Sequence, residues 1–372
     1  MSVPGTARAE LLSEIIGEGL DRLATIDLHG RGIVKPIYDA ARERQGGKPL
    51  SYSFSKGLID CAKEGSAAVL ATGFMIRRAM QPETDGITGT AYLAYVLSEG
   101  LGLVPLVACE AAAAGAVSAA IEATGLRRAD LKSLGRYATG TRKGLYAIIG
   151  FPAAPERGAK EEHERAAAEL AEGAPCVFVT IERPGKNAKG VPHTTFGVSM
   201  GDISADIDDV MDRMEKSGIP TFAVGDMGNE LGMGLVSDVV GEITPYGKKC
   251  RCGCGGGVAA SRRARYTMMG AISDDACYAV GASLAEQIGR ADLLPDADMI
   301  ERTLEAAVCS GAVDGIIAEN GPSIDMIGWE THGYLIGLMR EQVLAAHRHD
   351  DERPQFIDTL ASVEAGIRET GR

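Results

Sequence analysis

Apolar residues in this chain fall into short unbroken runs separated by stretches of helical spacing. Ala67 to Thr72, Val104 to Ala108, Gly144 to Gly150, Pro175 to Ile181 and Ile219 to Val224 each read as a buried strand. Between them the period lengthens to that of a helix. Residues 7 to 24 place Leu11, Leu12, Ile15, Ile16 and Leu20 on one face. Further helices are predicted over 33 to 44, 55 to 65, Ala91 to Gly100, 111 to 124, Ile203 to Ser217 and Leu231 to Val240. Residues 258 to 290 read as mostly helical with Ser273-Asp274-Asp275 as a polar break. Helix is expected again over 297 to 310 and from Trp329 onward. Strand and helix alternate from about residue 67 to 240. That alternation predicts a three-layer α/β fold, with a mostly parallel sheet and helices on both faces. The expected division is an N-terminal helix (1-26), one α/β domain (27-345) and a charged C-terminal tail (346-372).

The strand ends carry the chemistry. Ile219 to Val224 stops at Gly225-Asp226-Met227-Gly228-Asn229-Glu230, with Gly232 and Gly234 following. Open α/β sheets bind ligands at the carboxyl ends of their strands, and glycines let a ligand approach the backbone. The free N–H groups at the start of the predicted 231 to 240 helix would favour an anion. The same grammar recurs at Thr72-Gly73-Phe74, with Glu83-Thr84-Asp85-Gly86 opening the next helix. It recurs again at Glu182-Arg183-Pro184-Gly185, where Arg183 has the fork geometry to clamp a carboxylate. His193, Asp202 and Ser204 lie in the loop that follows, and His29 and Arg31 in an earlier glycine-flanked loop.

Cys250, Cys252 and Cys254 leave two readings open. With a fourth ligand from elsewhere they would bind zinc. Alternatively Gly255 and Gly256 belong to a tight loop whose N–H groups hold an anion.

Composition narrows the class. A formal charge of −13 without a basic stripe argues against nucleic-acid binding. No apolar run is long enough to span a bilayer, and the first twenty residues lack the layout of a signal peptide, so the expected location is the cytoplasm. Cys61, Cys109, Cys176, Cys277 and Cys309 read as reduced core thiols. The dinucleotide, P-loop, nucleophile-elbow and zinc-protease motifs are missing in their proper settings. The expected partner is a small carboxylate substrate, with no nucleic acid and no membrane, and a homo-oligomer is compatible with the sequence.

Taken in order, several stretches resemble the D-glutamate cyclase family, specifically the cyclase-like domain at the C-terminal end of its longer members. They are Arg31-Gly32-Ile33 with Ile37 to Arg42; Thr72-Gly73-Phe74; Glu83 to Gly86 with Gly89; Ile181 to Gly185; Gly201 to Ser204; Gly225-Asp226 with Gly228 to Gly234; and Cys254 to Gly257. The resemblance spans roughly residues 27 to 290. One departure stands out: Ser273-Asp274-Asp275-Ala276 occupies the place of an expected Ser-Asn-Trp-Gly-like turn. The resemblance implies a hydro-lyase that closes D-glutamate to 5-oxo-D-proline and water. Such a reaction needs a base, for which Asp226 or Glu230 is expected, and a donor to the developing oxyanion, for which Asn229 is expected. Glu83 and Asp85 would hold the amine. Alternatively Asp85 and Asp226 would hold a divalent ion such as Mn2+ or Mg2+ through oxygen ligands. The remaining substrate contacts would come from Thr72, Gly73, Thr84, Gly86, Glu182, Arg183, Asp202, Gly225, Gly228, Gly255 and Gly256. A related lyase, lactam-forming enzyme or isomerase acting on another small acid, or a non-catalytic carboxylate binder, are the alternatives.

Overall fold

The computed structural model describes residues 5–134, 143–156 and 158–348. Among these residues seven parallel strands form one sheet: β1 (Ala67–Thr72), β2 (Val104–Glu110), β3 (Arg127–Arg128), β4 (Leu145–Phe151), β5 (Pro175–Ile181), β6 (Thr221–Gly225) and β7 (Tyr266–Met269). Their spatial order is β3-β4-β2-β1-β5-β6-β7. β1 and β2 are buried at every position, which is why their sequences show unbroken apolar runs rather than alternation. From β1 the chain winds outward through β2 to the edge strand β3 and steps back in to β4. It then returns to the other side of β1 and winds outward again through β5, β6 and β7. The reversal between β1 and β5 opens a crevice at their carboxyl ends.

Helices α1 (Gly5–Ala24), α2 (Val34–Arg44), α3 (Leu50–Cys61), α4 (Ile87–Leu101) and α5 (Ala114–Ala123) precede α6 (Ala159–Glu172), α7 (Ile207–Lys216) and α8 (Ser237–Ile243). Then follow α9 (Ser273–Gln287), α10 (Ala297–Cys309) and α11 (Trp329–Ala346). α6 and α7, bridged by Arg213 and Glu164 at 2.8 Å, cover one face of the sheet. α3, α4 and α9 pack on the other, with α1 and α11 against α9 from outside. α9 is therefore enclosed on all sides, and every residue from Ser273 to Ala285 is buried. Ile16, Leu20 and Ala24 of α1 belong to the same apolar core as the strands. From residue 349 onward the charged tail lies outside the described residues. No helix among the described residues is long and apolar enough to cross a membrane.

Four expectations are corrected. Leu231 to Val240 is not one helix: Gly232 takes a positive φ of 95°, a 3-10 turn covers Gly234–Val236, and α8 begins only at Ser237. Residues 258 to 290 are not mostly helical either, because β7 extends the sheet before α9 starts. Ser273-Asp274-Asp275 is no break but the first turn of α9. Helix α7 starts at Ile207 rather than Ile203, because the Asp206 carboxylate caps it by accepting from the Asp209 N–H.

Candidate active site

At the crevice, β1 delivers Thr72 and Gly73, β5 delivers Glu182 and Arg183, and β6 delivers Gly225 and Asp226. The segments Glu83–Gly86 and Ser273–Asp275 come in as the starts of α4 and α9. Two elements beyond the sheet complete the cluster. The loop before α2 brings Arg31. A hairpin pairing Ser323–Ile324 with Ile327–Gly328 brings Asp325 at its tip. Asp325 and Met326 both have positive φ, 51° and 66°, as a two-residue turn with the twist of its strands requires. The Asp314 carboxylate holds this hairpin by accepting from Met326 N–H and Ser323 Oγ, each at 2.6 Å.

The result is a cavity of about 440 Å³ with Glu83, Asp85, Glu182, Asp226 and Asp325 on its wall, and Phe74, Phe196, Met227 and Tyr246 supplying apolar surface. Arg31 is the one cationic side chain among the described lining residues. It donates to Asp226 Oδ2 at 2.9 Å and to Asp325 Oδ2 at 2.7 Å. One guanidinium cannot balance this many carboxylates out of water. Burial, then mutual repulsion, accordingly raises Glu83, Asp85, Glu182 and Asp226 well above the usual carboxylate range. Burial also pushes Asp274 up to about 7, although Thr88 and the Gly89 N–H favour its ionised form. The carboxyls of this site therefore bind protons more tightly than exposed carboxylates do. Glu182 adds backbone strain, with a positive φ of 38° in a non-glycine residue.

Asp85 and Asp274 cap each other's helices. Asp85 Oδ1 accepts from Asp274 N–H at 2.9 Å, and its Oδ2 from Ser273 N–H at 3.2 Å. Asp274 Oδ1 accepts from Gly86 N–H at 2.8 Å and Gly89 N–H at 2.7 Å, while its Oδ2 takes the Thr88 hydroxyl. Gly86 has a φ of 80°, and an added Cβ would lie 2.5 Å from that of Glu182. The Ser273 hydroxyl donates to Glu182 Oε2 at 2.6 Å, joining the third segment.

Other sequence-predicted residues take different places. The N–H groups expected to favour an anion at the start of the predicted 231 to 240 helix are used, since Leu231, Met233 and Gly234 N–H donate to the carbonyls of Arg183, Glu230 and Arg262 at 2.7, 3.1 and 2.7 Å. In the turn before them Glu230 accepts from Asp226, Met227 and Gly228 N–H at 3.3, 2.9 and 2.7 Å. Glu230 is fully buried and shapes the turn around Gly225 and Gly228. Arg183 is fully buried too and is not among the residues lining the cavity. It pairs with Glu110 and donates to the carbonyls of Gly73 at 3.1 Å and Ala205 at 2.8 Å, tying three strand-end loops together. The Thr84 hydroxyl donates to the Ser323 carbonyl at 2.8 Å and so positions the Asp325 hairpin, and Thr72 Oγ1 donates to the Gly86 carbonyl at 3.3 Å. Asn229 lines the cavity, but its amide NH2 donates to the His193 carbonyl at 3.0 Å, leaving Oδ1 as a buried acceptor without a partner. Asp202 is on the surface, bonded to Arg77 at 2.7 Å. Gly255 and Gly256 belong to the cysteine loop and do not line the cavity.

Asp325, Asp274 and Arg31 are the main residues that strand-end reasoning missed or left undecided. The Asp274 signal was the acidic pair in a helix first turn. Asp325 carries none, because its hairpin reaches the site only through tertiary folding. Two groups among the described residues could hold a metal ion through oxygen: Asp85, Asp226 and Asp325, and Glu182, Asp226 and Glu230, each with ligand atoms within 4.8 Å of one another. A third group combines His193 with Cys250, Cys252 and Cys254.

No curated protein sequence matches this chain. A family model described as D-glutamate cyclase-like, C-terminal, matches residues 20–340.

Proposed function

We propose, starting from a chain that belongs to the D-glutamate cyclase-like family, that it is a hydro-lyase closing D-glutamate to 5-oxo-D-proline and water. The observation that carries this reading is the cavity lined by five carboxyl side chains around one guanidinium. In the reaction the α-ammonium loses a proton and its nitrogen attacks the γ-carboxyl carbon. A C–N bond forms, a C–O bond breaks, and the oxygen leaves as water. The two protons lost by the ammonium are the two that leave with that oxygen, so no redox partner or activating nucleotide is needed. A site of carboxyls with raised proton affinity suits both transfers.

Asp226 is the proposed base: it lines the cavity and meets Arg31, whose charge favours its ionised form against burial. Protonated Glu83 or Glu182 supplies the proton to the departing oxygen. Asn229 lines the cavity, and its Oδ1, a buried acceptor without a partner, suits an ammonium N–H better than an oxyanion. Arg31 then serves the substrate's carboxylate or the developing oxyanion, the part first given to Arg183 and Asn229.

Asp85, Asp226 and Asp325 offer the hard oxygen donors that suit Mn2+ or Mg2+. An ion held there would polarise the attacked carboxyl. The test is purified protein with D-glutamate, L-glutamate or 5-oxo-D-proline, with EDTA or Mn2+, read as a mass change of one water. Loss of water from D-glutamate alone supports the proposal, and no change with either enantiomer overturns the substrate.

A second reading keeps the chemistry and changes the acid. It is favoured by Asp274 and Asp275, which depart from the expected Asn-Trp pair and lie buried beside the site, Asp275 bonded to His332 Nδ1 at 2.8 Å.

A further inference from the structure

Three cysteines spaced one residue apart ordinarily point in different directions. Here Gly253 and Gly255 adopt left-handed φ values of 83° and 79°, coiling the chain after Cys252 and again after Cys254. The Cys250 N–H closes the loop on the Gly256 carbonyl at 2.8 Å. The three sulfurs converge as a result: Cys250 Sγ is 3.3 Å from both Cys252 Sγ and Cys254 Sγ. His193 arrives from a separate loop with Nε2 3.1 Å from Cys252 Sγ and 3.9 Å from Cys254 Sγ. The His193 ring is fully buried, and its Nδ1 has no hydrogen-bond partner.

We infer that His193, Cys250, Cys252 and Cys254 form a structural Zn2+ site. Zinc with ligands at about 2.3 Å to sulfur and about 2.0 Å to nitrogen sets tetrahedral edges of roughly 3.5–3.8 Å, the range these contacts straddle. A disulfide would need two sulfurs at about 2.05 Å. Soft thiolates with one imidazole select zinc over the hard cations that suit the acidic cavity. The Asn187 amide donates to Cys254 Sγ at 3.5 Å and to the Gly257 carbonyl at 2.7 Å, the kind of support a thiolate ligand takes from its surroundings.

The four ligands make a closed set, so the ion fastens rather than reacts. It joins the loop carrying Thr194 and Phe196 to the one carrying Tyr246 and Val258, all of which line the cavity. Two backbone bonds, Arg251 N–H to the Gly197 carbonyl and Ser261 N–H to the Lys186 carbonyl, each at 2.9 Å, link the same two stretches of chain.

The test is elemental analysis of the native protein purified without a metal-binding tag from zinc-supplemented medium. The expected content is about one zinc per chain, falling at least tenfold when Cys252→Ser and Cys254→Ser are combined and staying unchanged in Asp226→Asn. If the double variant does not fold, mercurial titration of the native protein should release one zinc as three thiols react. Cobalt replacement should give the strong visible absorption of a tetrahedral thiolate site. Native protein without zinc, zinc retained by a folded double variant, or a disulfide among the three cysteines by mass would overturn the assignment. None of these readouts depends on the reaction at the acidic cavity.

Discussion

Asp226 lies between Arg31, which favours its charge, and Glu230 and Asp325, which oppose it. Replacing it with asparagine keeps size and removes the proton acceptor. Asp226→Asn should fold with an unchanged far-UV spectrum and lose roughly 10²–10⁴-fold in turnover. Full turnover in the folded variant would remove it as the base. Arg183 should behave in the opposite way. Arg183→Met leaves Glu110 buried without its partner, which costs on the order of 3–5 kcal/mol by urea unfolding. Any surviving folded protein should keep its KM, and a large rise in KM with normal stability would return Arg183 to the substrate. Glu83, Asp85, Glu182 and Asp226 could be picked out as polar residues at strand ends. Whether a given one faces the cavity or the backbone could not, because that depends on where tertiary contacts aim it. Glu230 and Arg183 read as chemistry in one dimension and serve as internal scaffolding in three.

The mutual capping of α4 and α9 brings together two elements 188 residues apart in sequence. It uses each helix's unsatisfied first N–H groups to hold the other helix's aspartate. Gly86 is the narrow point, so Gly86→Ala meets both an unfavourable φ and the Glu182 side chain. Expected is a destabilisation of about 1–3 kcal/mol in chemical denaturation, with turnover falling further than stability explains. A variant as stable and active as the parent would show that the junction tolerates a shift. At this scale the strands were well marked, since β1 and β5 have the ends their apolar runs predict. β7 was not, because its four residues, Tyr266–Met269, are too few to show a period of their own. α9 hid its first turn for a related reason: enclosed on all sides, it lacks the one-faced pattern that makes surface helices legible.

Across the whole molecule the buried acids tie stability to pH. Their folded affinity for protons is raised, so the folded state keeps protons that the unfolded chain has already released. This contribution is fully present below the ordinary carboxylate range and is lost as pH rises through the raised values. His332, raised beside Asp275 against its own burial, acts in the same direction. In EDTA the unfolding temperature should therefore fall between about pH 5 and about pH 8, a window above the titration of exposed carboxylates. Added Mn2+ should flatten that fall. A flat or rising profile in EDTA would contradict the proton-holding cavity. The order of the sheet has a further consequence for synthesis. β1 is complete at Thr72, yet its second neighbour begins only at Pro175. At typical elongation rates one edge of this fully buried strand stays unpaired for on the order of ten seconds on the ribosome. During that interval Ala67 to Thr72 is an open hydrophobic template, and a nascent chain stalled there is the form of this protein most in need of a chaperone.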